Sequence, residues 1–161
     1  MERAMQNISG DSYDTQQFVV FQVGNELYGI NILIAESIER IQPITRVPKS
    51  PSEIIGVINL RGDIIPLISM RKILEYDEED YTDSTRIIIT EFDDYRLGLI
   101  VDRLLEVLTI STNDIQLSID DMSDKDKIYI SGIINMGDQP ITLIDIPKTL
   151  EKINIIDKQG V

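Results

Sequence analysis

Chemistry in this 161-residue chain falls to carboxylates, amines and hydroxyls, because the sequence contains neither cysteine nor histidine. Thiolate nucleophiles, disulfides, the commonest zinc ligands and the side chain that titrates near neutrality are therefore all missing. The carboxylates gather in two stretches, Asp77-Glu78-Glu79-Asp80 and the set Asp120, Asp121, Asp124 and Asp126. The second set has an appetite for calcium, but it lacks the glycine and terminal-glutamate spacing of an EF-hand loop. Both stretches read as solvated chain, the first as a hydrated linker. No Asp/Glu pair stands in a motif suited to glycoside hydrolysis. Arg61-Gly62-Asp63 reads as a tight turn rather than an adhesion motif, and Asn7-Ile8-Ser9 is a glycosylation sequon without a secretory route. No catalytic residue, cofactor or metal site is assigned.

Charge narrows the partners. Fifteen Lys and Arg against 28 Asp and Glu give a net charge of −13. Phosphate-backbone recognition needs clustered cations that release counterions, and no such cluster exists in this sequence. An anionic membrane surface is disfavoured for the same reason. The amino-terminal residues lack the apolar core of a signal peptide, and runs such as Ile87-Ile88-Ile89 are strand-sized, far below the ~20 residues of a membrane span. A soluble, cytoplasmic protein is expected.

The elements that must position any site come as a pair. Gly56-Val57-Ile58-Asn59-Leu60 through Leu67-Ile68 returns as Gly132-Ile133-Ile134-Asn135-Met136 through Leu143-Ile144, at an offset of 76 residues. Leu27-Tyr28-Gly29-Ile30 is echoed by Arg96-Leu97-Gly98-Leu99 at an offset of 69. Such a period is too long for solenoid repeats, which run about 20 to 50 residues. Strands are predicted over 18–23, 27–32, 56–60, 64–68, 86–92, 96–101, 103–110, 128–136 and 140–145, with short helices at 70–74 and 147–152. Residues 33–40 could be helical, but their apolar positions fit a short helical turn feeding a strand equally well. Ser50-Pro51 reads as the cap and first position of a single helical turn. The fold class is all-β with a few short helices. The predicted division is a tail at 1–15, a first barrel at 16–80, a second at 84–151 and a tail at 152–161. A unit of about 65 residues is marginal alone, so the barrels should share an apolar seam.

Leu27-Tyr28-Gly29-Ile30-Asn31-Ile32-Leu33, Thr45-Arg46, Pro51, Gly56-Val57-Ile58-Asn59-Leu60-Arg61-Gly62, Pro66 and Arg71 resemble the CheW family of bacterial chemotaxis coupling proteins. Leu97-Gly98-Leu99-Ile100-Val101-Asp102 and Gly132 extend the resemblance over about residues 16 to 151. It implies two five-stranded SH3-like barrels packed side by side. It also implies a non-catalytic adaptor that couples the cytoplasmic tip of a methyl-accepting chemoreceptor to the histidine kinase CheA, through that kinase's CheW-like regulatory domain. A CheW-like coupling protein of another motility or developmental kinase pathway is the alternative. The resemblance further implies recruitment to membrane-associated receptor arrays and a receptor contact at Arg61, Ala35, Ile34, Ser37, Gly56, Asn59, Leu104 and Val107. Where the family often has Glu, this chain has Ser37, leaving Glu36 or Glu39 to pair with Arg61; where it often has Asp, this chain has Ser69.

Overall fold

The computed structural model describes residues 14–117 and 128–156. The Asn7 sequon, the carboxylates from Asp120 to Asp126, most of the first expected tail and half of the second lie outside the described residues. Ten strands run in chain order: β1 Thr15–Val23, β2 Glu26–Asn31, β3 Ala35–Arg40, β4 Ile54–Leu60, β5 Asp63–Ser69, β6 Arg86–Phe92, β7 Tyr95–Val101, β8 Arg103–Ser111, β9 Ile130–Met136 and β10 Gln139–Ile144. Two short helices follow β5 and β10, α1 at Met70–Ile73 and α2 at Ile146–Lys152.

Local chemistry explains most boundaries. Arg61-Gly62 and Asp93-Asp94 join β4–β5 and β6–β7 as two-residue loops with positive φ at both positions, the hairpin geometry whose twist matches the flanking strands. Ser69 caps α1 by accepting from the Lys72 amide at 3.2 Å, and Asp145, 76 residues on, caps α2 by accepting from the Lys148 amide at 2.9 Å. Residues 32–40 take the second of their two readings, a 3-10 turn at Ile32–Ile34 feeding β3. Ser50 does not cap a helix. Its hydroxyl donates backward to the Val47 carbonyl at 2.9 Å, and residues 51–54 form a single turn closed by Ile54 N–H to Pro51 O that runs straight into β4, so no helix follows for it to cap.

The sheets do not follow the sequential division at 80–84. One has the order β8-β1-β2-β10-β9 and the other β3-β6-β7-β5-β4. Each half of the repeat therefore lends its first hairpin to the other half: β1–β2 completes the sheet of β8, β9 and β10, and β6–β7 completes that of β3, β4 and β5. The junctions are parallel pairings, Leu67 beside Gly98 and Leu143 beside Gly29. A Cβ on Gly98 would sit 2.6 Å from Leu67 Cδ2, and one on Gly29 would sit 3.0 Å from Leu143 Cδ2. The echoed glycines thus make room for the echoed leucines across each exchange.

Closure is also duplicated. Thr45, beyond edge strand β3, pairs with Val57 on the opposite edge through bonds of 2.9 and 2.8 Å, and Gln116, beyond β8, pairs with Ile133 at 2.9 and 2.7 Å. These bridges roll each sheet into a small barrel. Gly56 and Gly132 face them: a Cβ on Gly56 would collide with the Thr45 carbonyl oxygen, and one on Gly132 would come within 3.1 Å of the Gln116 carbonyl oxygen.

Strand alternation divides the core in three. Phe18 and Val20 point into one barrel with Ile110, Ile134, Ile141 and Leu143. Ile87, Ile89 and Ile100 point into the other with Ile58, Leu60, Ile65 and Leu67. The residues between them (Val19, Phe21, Ile88, Leu99, Val101) meet Tyr28, Ile30, Ile68, Met70, Ile144, Ile146 and Leu150 in a seam drawing on both sheets. The unbroken Ile87-Ile88-Ile89 run is the signature of a strand buried on both faces. Because each barrel needs strands from both halves, residues 1–80 expressed alone are expected to show no cooperative thermal transition by circular dichroism. A transition as sharp as that of the full chain would refute the exchange.

Candidate partner-binding groove

The two crossings of the chain between sheets place β3 and β8 as facing edges. Ala35, Glu36, Ser37 and Ile38 of β3, Leu104, Glu106 and Val107 of β8, and Val19 and Ile32 behind them line a groove of about 240 Å³. Its walls are equivalent positions of the repeat, since Ala35 corresponds to Leu104 and Ile38 to Val107 at the 69-residue offset. Ile38 and Val107 are 38% and 49% exposed, so the groove offers apolar side chains from both sides to whatever enters. Four of the sequence-predicted residues meet here: Ala35, Ser37, Leu104 and Val107.

The remaining four are placed differently. Arg61 sits at the tip of the β4–β5 loop with φ of 52°, its side chain 76% exposed and its guanidinium 3.9 Å from Glu39. Asn59 stays below that tip, its Oδ1 accepting from the Gly62 amide at 3.0 Å, so it shapes the loop that presents Arg61. Gly56 belongs to the closing bridge rather than the groove. Ile34 lines a separate hollow with Phe18, Ile115 and Leu143.

A cluster of charges flanks the groove. The Arg96 guanidinium donates to both Glu36 oxygens at 2.8 Å each and to Asp63 at 2.7 Å. Glu36 is the extra residue of a bulge, since Ala35 pairs with Thr90 and Ser37 with Ile89, and a bulge re-aims its side chain. The hydrogen bonds from Arg96 hold the Glu36 carboxyl below its ordinary pKa, with a further attraction from Arg61. Arg96 is raised in turn, chiefly by its bond to Glu36. Of the two carboxylates left open for Arg61, Glu36 is bound to Arg96 and Glu39 lies at 3.9 Å. Sequence reasoning missed Arg96 and Asp63. The available signal was the echo itself, in which Arg96 stands where the first copy has Leu27.

The stretch 77–80 is not simply hydrated. Arg71 grips Asp102 with two bonds of 2.9 and 2.6 Å and donates to the Asp77 carbonyl at 2.7 Å, while Asp102 also accepts from the Gly24 amide at 2.8 Å. Glu78 accepts from the Ser69 hydroxyl at 2.6 Å. This network ties α1, the β1–β2 turn and the β7–β8 crossing together. Arg71, 16% exposed, is raised in pKa mainly by its bond to Asp102. Among the described residues no group of three or more His, Cys, Asp or Glu converges to hold a metal, and no helix is long and apolar enough to cross a membrane.

Residues 17–154 match the family model described as a CheW-like domain. The chain is 35% identical over 137 residues to the chemotaxis protein CheW of Bacillus subtilis, covering 85% of this chain and 88% of that one. It is 33% identical over 153 residues to that of Thermotoga maritima, covering 94% and 97%. The crystal structure of the scaffolding protein TtCheW from Thermoanaerobacter tengcongensis superposes with a TM-score of 0.73 at 34% identity, covering 81% of this chain and 88% of that one.

The charge cluster has a titration signature. Because the folded pKa of Glu36 lies below its ordinary value, its pairing contributes fully above the ordinary carboxylate range and is lost as pH falls through the depressed value. In carboxyl NMR titrations, Glu36 is expected to titrate below the ordinary glutamate range in the native chain, and to return toward that range in Arg96→Met. An unchanged Glu36 midpoint in that variant would show that Arg96 is not the cause.

Proposed function

This chain belongs to the CheW-like family, whose members compared above are chemotaxis scaffold proteins, and on that basis we propose that it is a non-catalytic adaptor joining chemoreceptor cytoplasmic tips to the histidine kinase CheA. The observation that carries the reading is the groove between β3 and β8. Its small and branched apolar side chains, set on two rigid edges, suit the ridge of an amphipathic helix. Arg61 stands beside it, exposed and anchored by a fixed loop, and an Arg fork on an apolar stem suits the centre of a recognition surface. The receptor helix would enter this groove, and the CheW-like regulatory domain of the kinase would dock elsewhere on the two barrels. The adaptor then works by position in the cytoplasm at membrane-bound receptor arrays: it raises the effective concentration of kinase at the receptor and passes on receptor state through differential contacts.

Two measurements test this. Arg61→Glu is expected to weaken binding of a methyl-accepting receptor cytoplasmic fragment about thirtyfold, the equivalent of roughly 2 kcal/mol, while leaving binding of the kinase regulatory domain nearly intact. Unchanged receptor affinity in a folded variant would remove Arg61 from the contact. Titration of the kinase domain onto receptor-saturated protein should give a ternary complex with no nucleotide turnover by this chain. Mutually exclusive binding would reject the bridge.

A further inference from the structure

Three carboxylates surround the loop that carries Arg61: Glu36 and Glu39 on β3, and Asp63 at the start of β5. A guanidinium in such company would ordinarily fold back onto one of them bidentately, because that geometry satisfies both groups. Arg61 does not. Among the described residues its carboxylate neighbour is Glu39 at 3.9 Å, too long for a hydrogen bond, and its side chain remains 76% exposed. The two competitors are taken by a second arginine: both Glu36 oxygens and one Asp63 oxygen are bound to Arg96 at 2.7 to 2.8 Å.

The other half of the repeat gives an internal control. Counterparts of Glu36 and Arg96 at the 69-residue offset are Leu105 and Leu27, and Asp63 corresponds to Gln139 at 76. Leu105 is likewise the extra residue of a bulge, since Glu106 pairs with Val20 and Leu104 with Phe21. Leu27 and Leu105 both pack against one apolar cluster. The backbone device therefore stands without any charge, and an apolar pair fills it. The fold does not need Arg96, Glu36 and Asp63 as ions, and Gly137 stands where the first copy has Arg61. The ionic set occurs only on the side of the groove that carries Arg61.

We propose that Arg96 is a positioning residue for partner recognition: by sequestering Glu36 and Asp63 it keeps the Arg61 guanidinium extended at the rim of the groove, free to take a carboxylate on the incoming helix. This rests on the docking reading above. It defines the partner helix as one with an apolar ridge for Ile38 and Val107 and an acidic side chain beside it for Arg61. Without Arg96, Glu36 is released next to Arg61, already attracted to it electrostatically, and competes with the partner's carboxylate.

The test uses the full-length protein and a chemoreceptor cytoplasmic fragment in calorimetric titrations, with thermal unfolding of every variant. Arg96→Met should weaken binding about tenfold, a change of about 1.4 kcal/mol. The double variant Arg96→Met/Glu36→Gln should recover most of that loss, because the released competitor is gone. A merely structural role predicts the opposite, a double variant at least as weak as the single. Val107→Glu separates the two levels of inference. If Val107→Glu and Arg61→Glu weaken binding while Arg96→Met does not change it, the sequestering role is overturned and the groove stands. If none of the three matters, both fall. A loss in Arg96→Met that Glu36→Gln fails to restore also overturns the proposal.

Discussion

The rest of the structure depends on one steric fit, repeated twice: a leucine from one half of the chain lying over a glycine from the other. Leu67 over Gly98 and Leu143 over Gly29 are the points where an exchanged hairpin enters its host sheet. They are parallel pairings in sheets otherwise built from antiparallel neighbours, so no tight turn enforces them. Side-chain fit must set the register, and a slip by one residue would turn every apolar residue of β2 or β7 to the wrong face. With register fixed, β1 and β6 present one set of side chains to a barrel interior and the alternate set to the seam. The seam is therefore a consequence of the exchange and not merely a contact between finished barrels.

The two crossings that perform the exchange also build the groove. Chain passing from β2 to β3 and from β7 to β8 leaves one sheet and becomes an edge of the other, so the edges beside the crossings face one another. Asp102 stands at the second crossing and is held by Arg71 and by the Gly24 amide, which explains why two residues so far apart in sequence both carry the family pattern. The geometry of recognition is thereby tied to the packing of the whole body. The two copies of the bulge beside the groove then differ through side chains alone: Arg96, Glu36 and Asp63 in one, Leu27, Leu105 and Gln139 in the other.

Much of this was legible in the sequence. Strand 86–92 agrees to the residue, and the predicted strand bounds elsewhere lie within a few residues of those found. Alternation and turn chemistry are local signals, and Gly62 marks its hairpin directly, whereas the cap read at Ser50 is found at Ser69. The partner of each hairpin was not legible. A repeat whose halves fold side by side and one whose halves trade hairpins have the same periodicity and the same echo, because a period of two reports which face is buried and not against what. Gly56 illustrates the other limit: the family pattern places it in the receptor contact, whereas its surroundings are the Thr45 carbonyl and Ile44. Arg96 was visible as an ion in a slot where its copy holds leucine, but its meaning required knowing that the bulged Glu36 lay within reach.

Interleaving also governs the order in which the protein can assemble as it is made. The sheet containing β3 to β7 has all its strands once Val101 has been synthesised. The sheet begun by β1 and β2 has to wait for Ile144, although its first hairpin is the earliest element to emerge. During that interval Phe18, Val19, Val20 and Phe21, all buried in the finished fold, have only part of their eventual surroundings. At roughly 5 to 20 residues per second, the gap between Asn31 and Ile144 lasts on the order of 5 to 25 seconds. For that time an apolar hairpin with an unpaired edge is exposed to the cell, the kind of surface that holding chaperones recognise. Among the described strands, the hairpin made first belongs to the sheet completed last.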